Sequence, residues 1–215
     1  MSVLIQNAIH CYTKERCDVL IRGNRIEKIA RTITASADKV INGDDMILYP
    51  AFANMHTHAA MTLFRGYADD MPLMKWLNEK IWPLEKKLTE EDVYAGTRLA
   101  CLEMINTGTT LFNDMYWHYD AAFQAVEEMG MRAMLSAVMI DMFDGDRQKS
   151  NEKRTRAIFD QYHGTHDRIT VTLGPHAIYT VSEAGLRFAV DMRNQYDTWL
   201  HMHLSETLKA VSYTH

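Results

Sequence analysis

Two His-x-His pairs, His56-Thr57-His58 and His201-Met202-His203, and a glutamate just beyond the second, Glu206, are the residues of this chain best suited to chemistry. Imidazole binds zinc and other first-row divalent ions through a ring nitrogen at about 2.0–2.1 Å. Side chains at i and i+2 on a strand share a face, so a strand ending in His56-Thr57-His58 can aim both rings at one ion. A hydrolytic metal site asks for three or four ligands, an open position for water and a group that moves protons. Glu206 suits the last task. One His-x-His alone is equally the polar end of a strand, so the weight lies on the two pairs together with Glu206. His176 follows Gly174-Pro175, a turn that can aim a side chain into a mouth. It is either a substrate contact or a histidine that steadies its turn. Glu85, in Trp82-Pro-Leu-Glu85, is a lone acid beside aromatic surface and suits a hydroxyl-bearing ring such as a ribose. A charge at a helix start is the plainer role for it.

These residues need elements that bring them to one place. Residues 1–50 read as a short β-rich module. Val3-Leu-Ile5 starts one strand, and strands at 18–22 and 25–30 flank Gly23-Asn24, a two-residue hairpin signal. After residue 50, strands alternate with helices. Thr89-Glu-Glu-Asp92 opens a helix to about residue 106. Further helices are expected at about 119–129, 150–162 and 183–195, the last capped by Ser182, with a polar loop at 141–149. Strands are expected near 51, 110, 135, 171 and 201. Strands separated by helices pair in parallel. His56 and His58, Asp114, His176, and His203 with Glu206 all follow strand ends. Reactive residues at the carboxyl ends of successive parallel strands mark a (β/α)₈ barrel. An open doubly wound sheet also binds ligands at its strand ends, but more often carries a glycine-rich phosphate loop, and none is present. The expected class is α/β, with about five βα units of a TIM barrel over residues 51–207.

A chain of 215 residues, 47% hydrophobic, can bury a large core in one large domain or two small ones. Its formal charge of −5 is spread along the chain, with no basic stripe for nucleic acid and no polybasic segment for a membrane surface. No apolar run approaches the ~18 residues of a spanning helix. Met1-Ser-Val-Leu-Ile-Gln-Asn7 lacks the basic-then-apolar pattern of a signal peptide. Cys11, Cys17 and Cys101 have neither finger nor Cys-x-x-Cys spacing and fit packing residues in a reducing cytoplasm. The expectation is a cytoplasmic protein acting on a small molecule.

The stretch His56-Thr-His-Ala-Ala-Met-Thr-Leu-Phe-Arg-Gly-Tyr-Ala-Asp-Asp-Met-Pro-Leu-Met-Lys-Trp-Leu77 resembles the amidohydrolase superfamily. Within it, the stretch is similar to the 5'-methylthioadenosine/S-adenosylhomocysteine deaminases and their triazine hydrolase relatives. Gly174-Pro-His-Ala-Ile-Tyr-Thr180 and His201-Met-His-Leu-Ser-Glu-Thr207 match two further family blocks in order. The resemblance implies a metal-dependent (β/α)₈ barrel joined to a small β-sandwich built from both chain ends, residues 1–50 being its first part. By motif, His56 and His58 would bind the metal from strand one and His203 from strand five. Glu206 would be the proton shuttle, His176 would contact the substrate base or the attacked centre, and Glu85 would hold ribose hydroxyls. The implied cofactor is one divalent metal, zinc first, with iron or manganese suited to the same ligands. The implied substrate is a small-molecule nucleoside, S-adenosylhomocysteine or 5'-methylthioadenosine. It would be deaminated hydrolytically at purine C6, the metal lowering the pKa of its water toward ~7.

The family completes its metal site with a histidine after strand six and an aspartate after strand eight. A whole barrel takes ~250 residues, whereas this chain leaves room for about five βα units at roughly 30 residues each. It is therefore expected to be an N-terminal fragment of the family fold, with 208–215 an atypical tail and His215 a remote candidate for a further ligand. Unpaired edges of a partial barrel favour self-association, so a homo-oligomer is expected. Three functions stay open. The first is the nucleoside deaminase, active in its full-length form and inactive in this one. The second is a guanine deaminase or triazine chlorohydrolase on the same barrel, and the third is an inactive remnant that binds metal weakly.

Overall fold

Short runs of β-branched and apolar residues drive the first fifty residues into strands. In the computed structural model, which describes residues 1–214 and all their side chains except those of Lys209, Tyr213 and Thr214, the first compact unit is Met1–Ala51. It holds β1 (Ser2–His10), β2 (Arg16–Arg22), β3 (Arg25–Ala30), β4 (Lys39–Asn42) and β5 (Ile47–Leu48). The sheet is mixed: β1, β2 and β3 run antiparallel in turn, and β4 and β5 lie parallel to β1. Gly23 turns the β2–β3 hairpin at φ +58°, a conformation open to glycine, as the Gly23-Asn24 pair predicts. Leu4, Leu20 and Ile33 form its core. The buried Asp18 carboxylate accepts from the N–H groups of Asn7 and Ile33, each at 2.8 Å, and so fastens the bulge in β1 to the segment after β3.

The second unit, Phe52–His215, is built on four parallel strands in sequence order: β6 (Phe52–Thr57), β7 (Thr109–Asp114), β8 (Arg132–Met139) and β9 (Ile169–Pro175). Between β6 and β7 the chain makes a 3₁₀ turn at Ala59–Phe64. It then runs through α1 (Leu73–Trp76), a π-helical turn at Leu77–Ile81, α2 (Trp82–Glu85) and the long α3 (Glu90–Asn106). The crossovers that follow are α4 (Tyr119–Met129), α5 (Gly145–Tyr162) and α6 (Glu183–Tyr196), with α7 (Leu208–Thr214) near the C-terminus. The predicted capping box forms: Thr89 Oγ1 accepts from Asp92 N at 3.2 Å while Asp92 takes the Thr89 N–H at 2.8 Å. Strand β8 is buried along nearly its whole length, as a parallel strand covered on both faces must be. Phe112, Leu135, Val171, Leu173, Phe159 and Met192 sit fully buried between sheet and helices. The architecture is a partial (β/α)-barrel sheet preceded by a mixed β-sandwich region. No helix among the described residues is long and apolar enough to cross a membrane.

Two elements differ from expectation. Helix α5 starts at Gly145, inside the expected 141–149 loop, because Asp144 caps it with bonds from Asp146 N and Arg147 N at 3.0 and 2.9 Å. The fifth strand, expected near 201, is an extended segment joined to β9 by two isolated parallel bridges, Leu173 to Leu200 and Ala177 to His203. The reason is a proline. Leu173 N donates to Trp199 O and His201 N returns to Leu173 O, at 2.9 and 2.8 Å. The next donor in a parallel ladder belongs to Pro175, which has no N–H. His215 lies outside the described residues.

Candidate metal centre

Strand β6 delivers the first histidine pair. It ends at Thr57, so His56 is on the strand and His58 is the residue that opens the 3₁₀ turn. The alternation expected of a plain strand is thus replaced by a strand end, and a buried carboxylate fixes it. Asp114, at the end of β7 and opposite Thr57 in register, accepts from Thr57 Oγ1 at 2.8 Å and from Ala59 N at 2.7 Å. Those two residues flank His58. Complete burial pushes the Asp114 carboxyl up, against the opposing pull of these hydrogen bonds.

The structure brings His56, His58 and His203 together: one ring nitrogen of each lies within 4.8 Å of the others. Their rings meet edge to face or tilted, with centroids 5.0 Å apart for His56 and His58, 4.8 Å for His56 and His203, and 5.2 Å for His58 and His203. His58 Nδ1 stands 2.7 Å from the Met115 carbonyl, and His203 Nδ1 stands 2.9 Å from the His176 carbonyl. A carbonyl only accepts, so both Nδ1 atoms carry a proton, and in the neutral form of each ring Nε2 is bare. The two Nε2 atoms face each other at 3.2 Å. Two lone pairs at that distance repel unless a cation or a proton lies between them. Backbone carbonyls that orient imidazoles in this way are the usual outer support of metal-ligating histidines.

Protons are disfavoured here. Burial, reinforced by neighbouring imidazoles, lowers His56 and His203, and takes His201 down to about 4 and His176 to about 3. Clustered imidazoles, exposed at His56 and half-buried at His58 and His203, are the donor chemistry of a zinc-type ion, so the residues present fit a divalent metal. His201, the other member of the second pair, is a support: its Nε2 lies 2.8 Å from His56 Nδ1.

The remaining expected residues converge on the same mouth. His176 shares a small cavity with His58, His203, Glu206, Glu85 and Trp82. Its Nδ1 is 2.8 Å from Thr180 Oγ1, whose hydroxyl donates to Ala177 O at 3.2 Å, so His176 Nδ1 donates and its Nε2 is free to accept. Glu206 is exposed and accepts the Tyr179 hydroxyl at 2.6 Å. Glu85 ends α2, with Trp117 Nε1 at 3.4 Å, and its burial pushes its carboxyl up. It borders both the small cavity and a larger one of about 790 Å³, whose walls also include Trp117, Val138, Met142, Arg147 and Arg154. Sequence reasoning missed Tyr179, Trp117, Met142 and the two arginines. Tyr179 lies in the Gly174–Thr180 stretch, three residues after His176, and that spacing is its only signal in the sequence.

Known proteins resemble this chain in sequence and in fold. The 5'-deoxyadenosine deaminase of Methanothermobacter thermautotrophicus is 46% identical over 199 residues, covering 92% of this chain and 47% of that protein. The protein of the same name from Methanocaldococcus jannaschii is 44% identical over 212 residues, covering 97% and 50%. The chain thus spans about half the length of the curated relatives it matches. A crystal structure of an adenosine deaminase from Xanthomonas campestris with bound zinc superposes at a TM-score of 0.89 with 30% identity, over 99% of this chain and 51% of that one. The description "Amidohydrolase family" matches residues 47–215, well over half of the sequence, and this chain belongs to that family.

Proposed function

We propose that the protein is a metal-dependent hydrolytic deaminase of adenosine-type nucleosides, converting S-adenosylhomocysteine or 5'-methylthioadenosine to the inosyl product and ammonia. In this reading His56, His58 and His203 hold one divalent metal, zinc first. The observation that carries it is the pair of bare Nε2 atoms of His58 and His203 facing each other at 3.2 Å. The metal, when bound, supplies Lewis acidity and ionises water near neutral pH. Glu206, its Oε2 held by Tyr179, takes a proton and returns it to the leaving amine. His176 offers Nε2 as acceptor to an N–H of the base amino group. Glu85 accepts from ribose hydroxyls. The large cavity beside Glu85 has apolar walls for a thioether and two guanidiniums, Arg147 and Arg154, for a terminal carboxylate, which favours S-adenosylhomocysteine as one substrate.

The test is metal analysis of the dialysed protein beside ammonia release from S-adenosylhomocysteine, 5'-methylthioadenosine, 5'-deoxyadenosine and guanine. One zinc per chain, lost in His58→Ala and His203→Ala, is expected, with turnover of adenine nucleosides by a chain of the length of the curated relatives. Turnover of guanine alone refutes the substrate, and zinc retained by both variants refutes the ligands. Stoichiometric zinc here, with no ammonia released by a chain of that length either, reduces the assignment to metal binding.

A further inference from the structure

The β8–α5 connection holds two bulky residues in an unfavourable conformation. Met142 and Phe143 have φ of +51° and +62°, the left-handed region that side chains of their size rarely occupy. Something must hold them there, and the structure shows what does. The Asp141 carboxylate, 1% exposed, accepts from Phe143 N at 2.8 Å, from Ser182 N at 2.9 Å and from Ser182 Oγ at 2.7 Å. Asp141 N and Met142 N both donate to Thr180 O, at 3.1 and 2.9 Å. Gly185 makes room: a Cβ there would sit 2.7 Å from Asp141 Oδ2. The turn after β8 is therefore tied to the head of α6 by a buried carboxylate. Its product is the placement of Met142, which forms part of the wall of the large cavity beside Glu85.

Neither residue is placed by the needs of the core. Phe143 is 64% exposed and Met142 37%, so the strain is not offset by burying them. The tie instead fixes a flexible, polarizable thioether side chain in the wall of a cavity that Val138 and Trp117 also line. We propose that Met142, positioned by the Asp141–Ser182 tie, is the residue that selects the 5'-substituent of the nucleoside, favouring an apolar thioether over a hydroxyl. This rests on the nucleoside reading of the cavity above. A hydroxyl placed against Met142 loses a hydrogen bond to water and gains none from a thioether wall, whereas a methylthio group gains contact.

The test is binding, so that it does not depend on turnover. Calorimetric dissociation constants for 5'-methylthioadenosine and adenosine are compared in the unaltered chain, Met142→Ala and Met142→Leu. The unaltered chain prefers methylthioadenosine. Met142→Ala lowers that preference roughly five- to tenfold, the worth of one to two methylene contacts, and leaves adenosine affinity within about twofold. Met142→Leu, close in volume, keeps most of the preference and shows that the fold is intact. A preference unchanged in Met142→Ala, or equal losses for both ligands, overturns the inference while leaving the nucleoside site standing. Failure of the unaltered chain to bind either ligand overturns both.

Discussion

Asp114 tests how the proposed metal centre is built. Its carboxylate is 2% exposed and holds the residues on either side of His58, Thr57 through Oγ1 at 2.8 Å and Ala59 through its N–H at 2.7 Å. In Asp114→Ala the Thr57 hydroxyl keeps a second acceptor, Asn113 O at 3.0 Å, but the buried Ala59 N–H loses its own. One orphaned donor costs about 1–3 kcal/mol. Removing a carboxyl whose burial is unfavourable offsets part of that, so the expected net loss of stability is about 1–2 kcal/mol. The effect on metal is larger in proportion, because loss of groups that orient a ligand histidine typically costs 10–100-fold in affinity. Asp114→Asn keeps an acceptor oxygen and should lose less than about tenfold. Zinc affinity by titration calorimetry, with urea melts of the same samples, separates the two effects. If Asp114→Ala binds zinc as tightly as the unaltered protein, or weakens only in step with its unfolded fraction, the clamp has no role in the metal site.

Three further outcomes follow from the same structure. Burial holds the Glu85 carboxyl above its usual range, so the folded protein binds that proton more tightly than the unfolded chain does. Its contribution to stability is complete below about pH 4 and is lost as pH rises through the folded value; Glu85→Gln should therefore gain stability over the unaltered protein on going from about pH 4 to about pH 7, and parallel melting curves across that range would contradict it. Thr89→Ala removes the capping hydroxyl of α3 and should cost about 1 kcal/mol by urea denaturation, with an unchanged midpoint as the contrary result. Phe112, on β7 and 0% exposed, should cost about 3–5 kcal/mol as Phe112→Ala, and a loss below about 1 kcal/mol would show that the core collapses around the gap.

Much of the fold could be read from local signals because they agreed with one another. Thr89 with Asp92 marked the start of α3, Gly23-Asn24 the first hairpin, and near-continuous apolar runs the buried parallel strands. The errors came where one capping side chain or an irregular helical stretch decides the backbone. Asp144 read as one more polar loop residue, yet it caps α5 five residues early. The helical stretch from Leu73 to Glu85, with its π-helical turn and Pro83 inside, has no clean apolar period, and its helicity serves to carry Trp82 and Glu85 to the cavities. At the site, the two His-x-His pairs stood out by spacing and Glu85 and His176 by family resemblance, but the states of these residues were not readable. Which nitrogen of His58 is bare depends on Met115 O, fifty-seven positions away along the chain, and only the fold brings that carbonyl near.

The Gly174-Pro175-His176 block shows how far a motif can mean more than its side chains. In the sequence it is a turn followed by one chemical residue. In the structure Pro175 withholds the N–H that would continue the ladder between β9 and the fifth segment, so that segment cannot be held by strand pairing alone. The His176 carbonyl takes over: it accepts from His203 N at 2.8 Å and from His203 Nδ1 at 2.9 Å, using both lone pairs on one residue. Backbone position and ring orientation of His203 are thereby fixed by the same atom, and the proton left on Nδ1 obliges Nε2 to face His58 bare. His176→Ala would keep that carbonyl and so should leave zinc affinity nearly intact while weakening the nucleoside. Pro175→Ala restores a backbone donor and should lengthen the pairing of the fifth segment, at the expense of the His203 placement. A calorimetric comparison in which His176→Ala loses zinc and Pro175→Ala does not would invert this assignment of roles.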